Sequence, residues 1–165
     1  MATEVGTYEL ANDSIERLGH GGMLLVTGDQ GNPMTIGWGV IGTIWGRPIF
    51  QVLVRPSRYS FSLLEELGEF TVCVPSEEQK KVLAVCGSTS GRDLDKIHEC
   101  NLSLAASQHV AVPHIAECAA HYECRVVHVN DVVNATLDPA LVARSYPTGD
   151  FHRVYFGEIL GVYRH

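Results

Sequence analysis

The sequence predicts a mainly-β protein, an antiparallel barrel with a few short helices packed outside it. Three observations carry this. Short apolar runs rich in β-branched and aromatic residues recur at Met23–Thr27, Ile49–Val54, Phe70–Val74, Ala120–Val129 and His152–Tyr163, bounded by Gly, Pro, Asn and Asp. Helical spacing is confined to short stretches between them. No linker, internal repeat or low-complexity tract interrupts the 165 residues, 45% of them hydrophobic, so residues 1–165 read as one domain long enough to bury a core.

Taken in order, Asn12–Leu18 has a helical pattern, with Asn12 or Asp13 as N-cap and Gly19 as its stop. Met23–Thr27 is a strand closed by the turn residues 28–32, and the chain that follows returns as its hairpin partner. With Ile49–Val54 as a third strand, the first third of the chain is expected to be a β-meander. Arg55–Ser60 breaks the sheet. It leads into a helix over Phe61–Leu67 with Phe61, Leu64 and Leu67 on one face and Gly68 as its end. After Phe70–Val74, Ser76-Glu77-Glu78-Gln79 forms a capping box that opens a helix running towards Gly87. Asp93–His98 is a further short helix, Asn130-Asp131 a turn, and Asp138–Val142 a helical turn.

The most unusual stretch is Asn32–Pro48, which holds four of the 16 glycines and both tryptophans. Glycine weakens a strand, so it marks a bulge or a close approach to the backbone. Trp38 between Gly37 and Gly39 sets a flat apolar face beside bare peptide groups, a surface suited to a planar heteroaromatic ligand. Gly37-Trp38-Gly39-Val40-Ile41-Gly42 also matches the dinucleotide fingerprint, which requires a helix to follow. Here a turn and a second strand follow, and Pro48 would break a helix, so that reading is rejected. Trp45, nearer the turn, is expected in the core or in dimer packing.

Twelve basic against nineteen acidic residues give a net charge of −7, which excludes nucleic acid or an anionic membrane surface as bulk partners. No run approaches the ~18 apolar residues of a membrane span. The opening residues have neither a basic nor an apolar leader segment, so export is not expected. Five scattered cysteines, an odd number, read as reduced thiols, and the expected compartment is the cytoplasm.

Two stretches are candidates for holding an anion. In Cys86–Arg92, Gly87 and Gly91 bracket Ser88, Thr89 and Ser90, with Arg92 and Lys96 nearby and a helix expected straight afterwards. Such a turn can aim consecutive N–H groups at a phosphate; the alternative is an ordinary helix connection with solvated serines. Arg55-Pro56-Ser57-Arg58-Tyr59-Ser60 offers two guanidinium groups and hydroxyls, or else simply begins a helix. His114, Cys118, His121 and Cys124 are the densest possible metal ligands, but strand alternation sends His121 and Cys124 to opposite faces, so no metal is expected. No nucleophile motif is present. His152, close to Asp150, is the one histidine marked for a catalytic or ligand-orienting role, against the alternative of a structural hydrogen bond.

Together these stretches resemble the flavin reductase-like FMN-binding family, and within it the flavoredoxin-like branch. The matching segments are residues 34–39, 54–60, 68–75, 86–96, 121–127 and 149–159, in the family's order. The resemblance implies a split β-barrel of Greek-key type that binds FMN, usually as a homodimer with the flavins near the subunit interface. It implies that Thr35, Ile36, Gly37 and Trp38 lie along the isoalloxazine. Arg55, Ser57, Arg58, Tyr59 and Ser60 would hold the ribityl-phosphate side, and the Cys86–Gly87 segment, Ser88, Ser90, Gly91 and Lys96 would complete the phosphate site. Two positions depart from the pattern: Cys73, where many relatives carry asparagine, and Tyr59, where two-component relatives carry threonine. The implied activity is FMN-dependent oxidoreduction with NAD(P)H as reductant; the alternative is an electron carrier reduced by a protein partner.

Overall fold

The computed structural model describes residues 2–165. The strands are β1 (Thr3–Glu4), β2 (Met23–Thr27), β3 (Asn32–Ile36), β4 (Gly39–Ile44), β5 (Arg47–Val54), β6 (Glu69–Val74), β7 (Leu104–Ala105), β8 (His114–Ile115), β9 (Ala120–Asp131) and β10 (Arg153–Arg164). The helices are α1 (Ala11–Gly19), α2 (Tyr59–Leu67), α3 (Lys80–Ser88), α4 (Lys96–Glu99) and α5 (Pro139–Ser145). The main sheet runs β3-β2-β6-β9-β10-β5-β4, antiparallel at every step, with β1 beside the end of β10, while β7 and β8 form a separate ribbon.

The sheet order overturns the expected meander. β2–β3 and β4–β5 are both hairpins, but they occupy opposite ends of the sheet order, and the chain crosses between them at Gly37-Trp38. Hairpin geometry is local, whereas the strand laid against each hairpin comes from further along the chain, β6 against β2 and β10 against β5. The β4–β5 turn is Trp45-Gly46, with φ of 55° and 70°. Two successive positive φ angles define the turn that matches strand twist, and a tryptophan in that conformation is uncommon. Trp45 is 62% exposed, so its expected core placement is wrong.

β2 reads as a continuous apolar run because both of its faces are covered. Met23 and Leu25 point into the barrel with Phe50, Phe70 and Tyr122, while Leu24 and Val26 face a second core with Cys73, Cys118 and Ile115. Phe50 meets Tyr122 edge to face, with ring centroids 5.2 Å apart, a geometry worth about 0.5–1.5 kcal/mol beyond its buried area. Gly157 sits where a Cβ would lie 2.3 Å from the Phe70 ring, so that close approach admits no side chain.

Several local expectations change. Leu10, not Asn12 or Asp13, precedes α1, and Asp13 instead pairs with Arg17 one turn on. Leu67 is exposed, because α2 turns Ser60 and Leu64 inward. The Ser76–Gln79 capping box is present, with the Ser76 N–H donating to Gln79 Oε1 at 2.8 Å. Asn130-Asp131 continues β9 through its pairing with β10. The helix after the Gly91 loop starts at Lys96, capped by Asp95, so no helix begins straight after Gly91.

Candidate functional site

Gly37 and Trp38 fall between β3 and β4 and take part in neither ladder, so their peptide groups lie outside the sheet's own pairing. Beside them is an open cavity of about 200 Å³, walled by Met34–Trp38, Leu53, Arg55, Arg58, Gly87 and His152. Trp38 is 46% exposed and tilts against His152 at a centroid distance of 5.0 Å. Thr35 is fixed by its hydroxyl, which donates to the Leu83 carbonyl of α3 at 2.6 Å. That bond brings Gly87 against β3, where a Cβ would already stand 3.4 Å from that of Thr35.

A second cavity of about 230 Å³ adjoins the first, and Met34 and Arg58 line both. Its walls include Ser57 just before α2, Tyr59 and Ser60 at its start, Cys86 from α3, and the turn Thr89–Asp93, with Lys96 beneath. Lys96 is 4% exposed, and its ammonium donates to the carbonyls of Pro33 at 2.8 Å and Cys86 at 3.3 Å. Burial lowers its pKa from the ordinary lysine range. Arg92 lies over the Tyr59 ring at 5.2 Å and donates to the Ser57 carbonyl.

The charge arrangement is uneven. Arg17, Arg47, Arg125, Arg153 and Arg164 all pair with carboxylates. Among the described residues seven cations pair with none: Lys80, Lys81 and Arg144 line neither cavity, whereas Arg55, Arg58, Arg92 and Lys96 all do, although the chain carries seven more acidic than basic groups and Asp93 also lines the second cavity. A buried ammonium satisfied only by two carbonyls is costly unless an anion shares its surroundings. The joined cavities therefore suit a ligand with a flat apolar part against Ile36–Trp38 and an anionic tail near Arg58, Arg92 and Lys96.

The structure brings most of the sequence-marked residues to these cavities, in altered roles. Arg55 lines the first cavity, and its guanidinium donates to the carbonyls of Asp150 at 3.0 Å and Ser145 at 2.8 Å, tying down the loop before β10. The Ser57 hydroxyl is bonded to Asp150, and Ser60 is buried and accepts from Asn32 Nδ2 at 3.0 Å. Ser90 and Gly91 reach the second cavity. Ser88 does not: α3 extends through Cys86, Gly87 and Ser88, and the Ser88 hydroxyl donates back to the Ala84 carbonyl at 2.8 Å. The expected loop is thus half helix. Burial pushes the Cys86 thiol up to about 12, so it stays protonated. His152 bonds through Nδ1 to the Tyr146 hydroxyl at 2.7 Å and not to Asp150, whose carboxylate goes to Ser57. Burial, with Arg55 nearby, lowers the His152 pKa to about 4. Asn32, Met34, Leu53 and Asp93 went unmarked because nothing in their local pattern separates them from ordinary strand and turn residues.

The antiparallel split barrel, with a flat-ligand cleft at its β3–β4 crossing, defines the class of protein. The flavin reductase like domain model matches residues 15–165, and the chain belongs to that family. An uncharacterized protein of Archaeoglobus fulgidus is 36% identical over 140 residues, which cover 84% of this chain and 69% of that one. Three solved structures share the fold. Flavoredoxin of Desulfovibrio vulgaris (Miyazaki F) aligns with a TM-score of 0.68 at 23% identity, covering 87% of this chain and 68% of its own. An FMN-binding domain of a flavin reductases-like enzyme from Shewanella baltica OS155 gives 0.70 at 20% identity, covering 99% and 77%. An NADH:FAD oxidoreductase of Streptomyces globisporus gives 0.68 at 18%, covering 88% and 75%.

Proposed function

We propose that the protein binds FMN across the two joined cavities and acts as a flavin-dependent oxidoreductase reduced by NAD(P)H. The observation that carries this reading is the set of cations without carboxylate partners, Arg58, Arg92 and buried Lys96, around a cavity continuous with the Ile36–Trp38 wall. Bound FMN would supply the hydride and electron chemistry; the protein positions it and sets its surroundings. Arg58, Arg92 and Lys96 would neutralise the phosphate, with hydroxyls of Ser57, Tyr59 and Ser90 around it. Peptide N–H groups at Gly37-Trp38 would favour negative charge on the ring. His152, neutral at physiological pH, would orient the ligand and not supply a proton.

We further read the chain as a homodimer. Val40, Trp45, Val127, Val129 and Val133 are all exposed, and Trp45, in the β4–β5 turn, clusters with His128 of β9 and Phe156 of β10. Anaerobic mixing of the FMN-loaded protein with NADH and with NADPH tests the activity. Loss of flavin absorbance with either supports it. FMN binding without bleaching by either nicotinamide would overturn the NAD(P)H reading and leave a carrier reduced by a redox protein partner. No uptake of FMN at all would overturn the flavin reading itself.

A further inference from the structure

A cluster of three histidines lies away from the cavities. His114 of β8, His121 of β9 and His165, just beyond β10, each place one ring nitrogen within 4.8 Å of the others. The rings of His114 and His121 stack at 3.7 Å, and His165 meets both edge-on. The densest set in the sequence, His114, Cys118, His121 and Cys124, is not expected to bind a metal; strand pairing brings His165, not the cysteines, to His114 and His121.

The hydrogen-bond partners fix which nitrogens carry protons. Buried Glu123 accepts from the backbone N–H groups of Gln108 and His109 at 2.9 and 2.6 Å, and its Oε1 faces His121 Nε2 at 3.2 Å. A carboxylate only accepts, so His121 Nε2 carries the hydrogen and its Nδ1 is a bare lone pair. His165 Nδ1 faces the Ala116 carbonyl at 3.3 Å, another pure acceptor, which leaves His165 Nε2 bare as well. These two bare nitrogens face each other at 2.8 Å. The other His165 tautomer relieves that contact only by giving up the bond to Ala116, whereas a shared cation keeps both outer bonds. A proton would serve His121 and His165 alone, whereas Nδ1 of His114 is buried and has no partner. A metal ion serves all three. The outer bonds, imidazole N–H to a carboxylate and to a backbone carbonyl, are those that orient metal-ligating histidines.

We infer that His114, His121 and His165 bind a divalent transition-metal ion of the zinc class, with water completing the coordination. Imidazole ligands suit zinc, copper and nickel over magnesium or calcium. Zn–N bonds of about 2.0–2.1 Å at tetrahedral angles need nitrogens roughly 3.3 Å apart. His165 is exposed and can move outward by that small amount, while the His114 ring tilts out of its stack to aim its lone pair. The site pins the end of β10 to β8 and β9. His152 and His165 flank opposite ends of the twelve-residue strand β10, so the ion acts on stability and not on the flavin reaction.

The test uses tag-free, chelator-stripped full-length protein, titrated with Zn²⁺ by calorimetry and followed by thermal melting. The expected result is one ion per chain and a melting temperature raised by roughly 5–10 °C at a hundredfold excess over the dissociation constant. His165→Ala, at an exposed position that leaves the fold intact by circular dichroism, should weaken Zn²⁺ binding at least tenfold. His114→Gln should do the same, whereas His20→Ala should not. No stoichiometric uptake by the wild type, or unchanged affinity in His165→Ala, would overturn the inference. FMN content is measured on the same samples and is expected to stay constant.

Discussion

Gly91 is the point where the phosphate-side turn comes closest to the barrel. A Cβ there would lie 1.9 Å from Asn32 Oδ1 and 2.9 Å from Tyr59 Cδ1. Its φ is not in the left-handed region, so Gly91→Ala acts through contact alone. The Asn32 amide must swing away, giving up its bond to Ser60, a loss of about 0.5–1.5 kcal/mol. The Tyr59 ring must then shift as well, and Arg92, which rests on that ring, shifts with it. Overpacking of this kind destabilises by about 1–3 kcal/mol in all. Since Asn32, Tyr59 and Arg92 all wall the second cavity, FMN affinity should fall about tenfold or more. Urea unfolding and quenching of FMN fluorescence read the two effects separately. An alanine variant with an unchanged unfolding midpoint and an unchanged dissociation constant would refute the packed-turn reasoning.

Arg58→Ala should weaken FMN binding about tenfold, near the low end for a bond to a charged group because Arg58 is exposed; fluorescence titration checks this. Lys96→Ala should weaken it by about 3 kcal/mol, since the ammonium is buried, and should also lower the apoprotein's melting temperature through the lost bonds to Pro33 and Cys86. An unchanged dissociation constant would remove Lys96 from the site. His152, with its pKa lowered to about 4, stays neutral in the fold while the unfolded chain takes up a proton below ~6.5. Stability should therefore fall as pH drops from 6.5 towards 4, less steeply in His152→Gln, and no limb from His152 should show in the flavin reduction rate between pH 5 and 8. Tyr122→Phe strands the buried Ser14 hydroxyl now 2.8 Å from the phenol, and denaturant unfolding should register about 1–3 kcal/mol.

Much of the architecture was legible from residue order. Met23–Thr27 keeps its bounds, the capping box at Ser76 forms, and Gly68 ends α2 in the left-handed conformation. These are local effects: a pleat of apolar residues, a side chain reaching back three positions, a residue without a Cβ. The flat wall at Ile36–Trp38 was visible for the same reason, because Gly-Trp-Gly interrupts a strand wherever that strand is placed. Ser88 misled because a helix can run through Gly87 when Thr35 and Leu83 hold it against β3, which no pattern around residue 87 reveals.

What the sequence determined by itself was the long strands, the turn after Met23–Thr27, the scattered cysteines and the presence of cations beside hydroxyls at two places, but not β1, β7 and β8. Tertiary structure alone decided that those two places adjoin, that Lys96 lies buried between them, and that Asp150 serves Ser57 and not His152. It also carried His165 to His121 across 44 residues. The physical reason is common to all of these. Periodicity and capping are set by neighbours within a few residues, whereas the pairing of β9 with β6 and β10 is selected by burial of both faces of the sheet, a property of the whole chain.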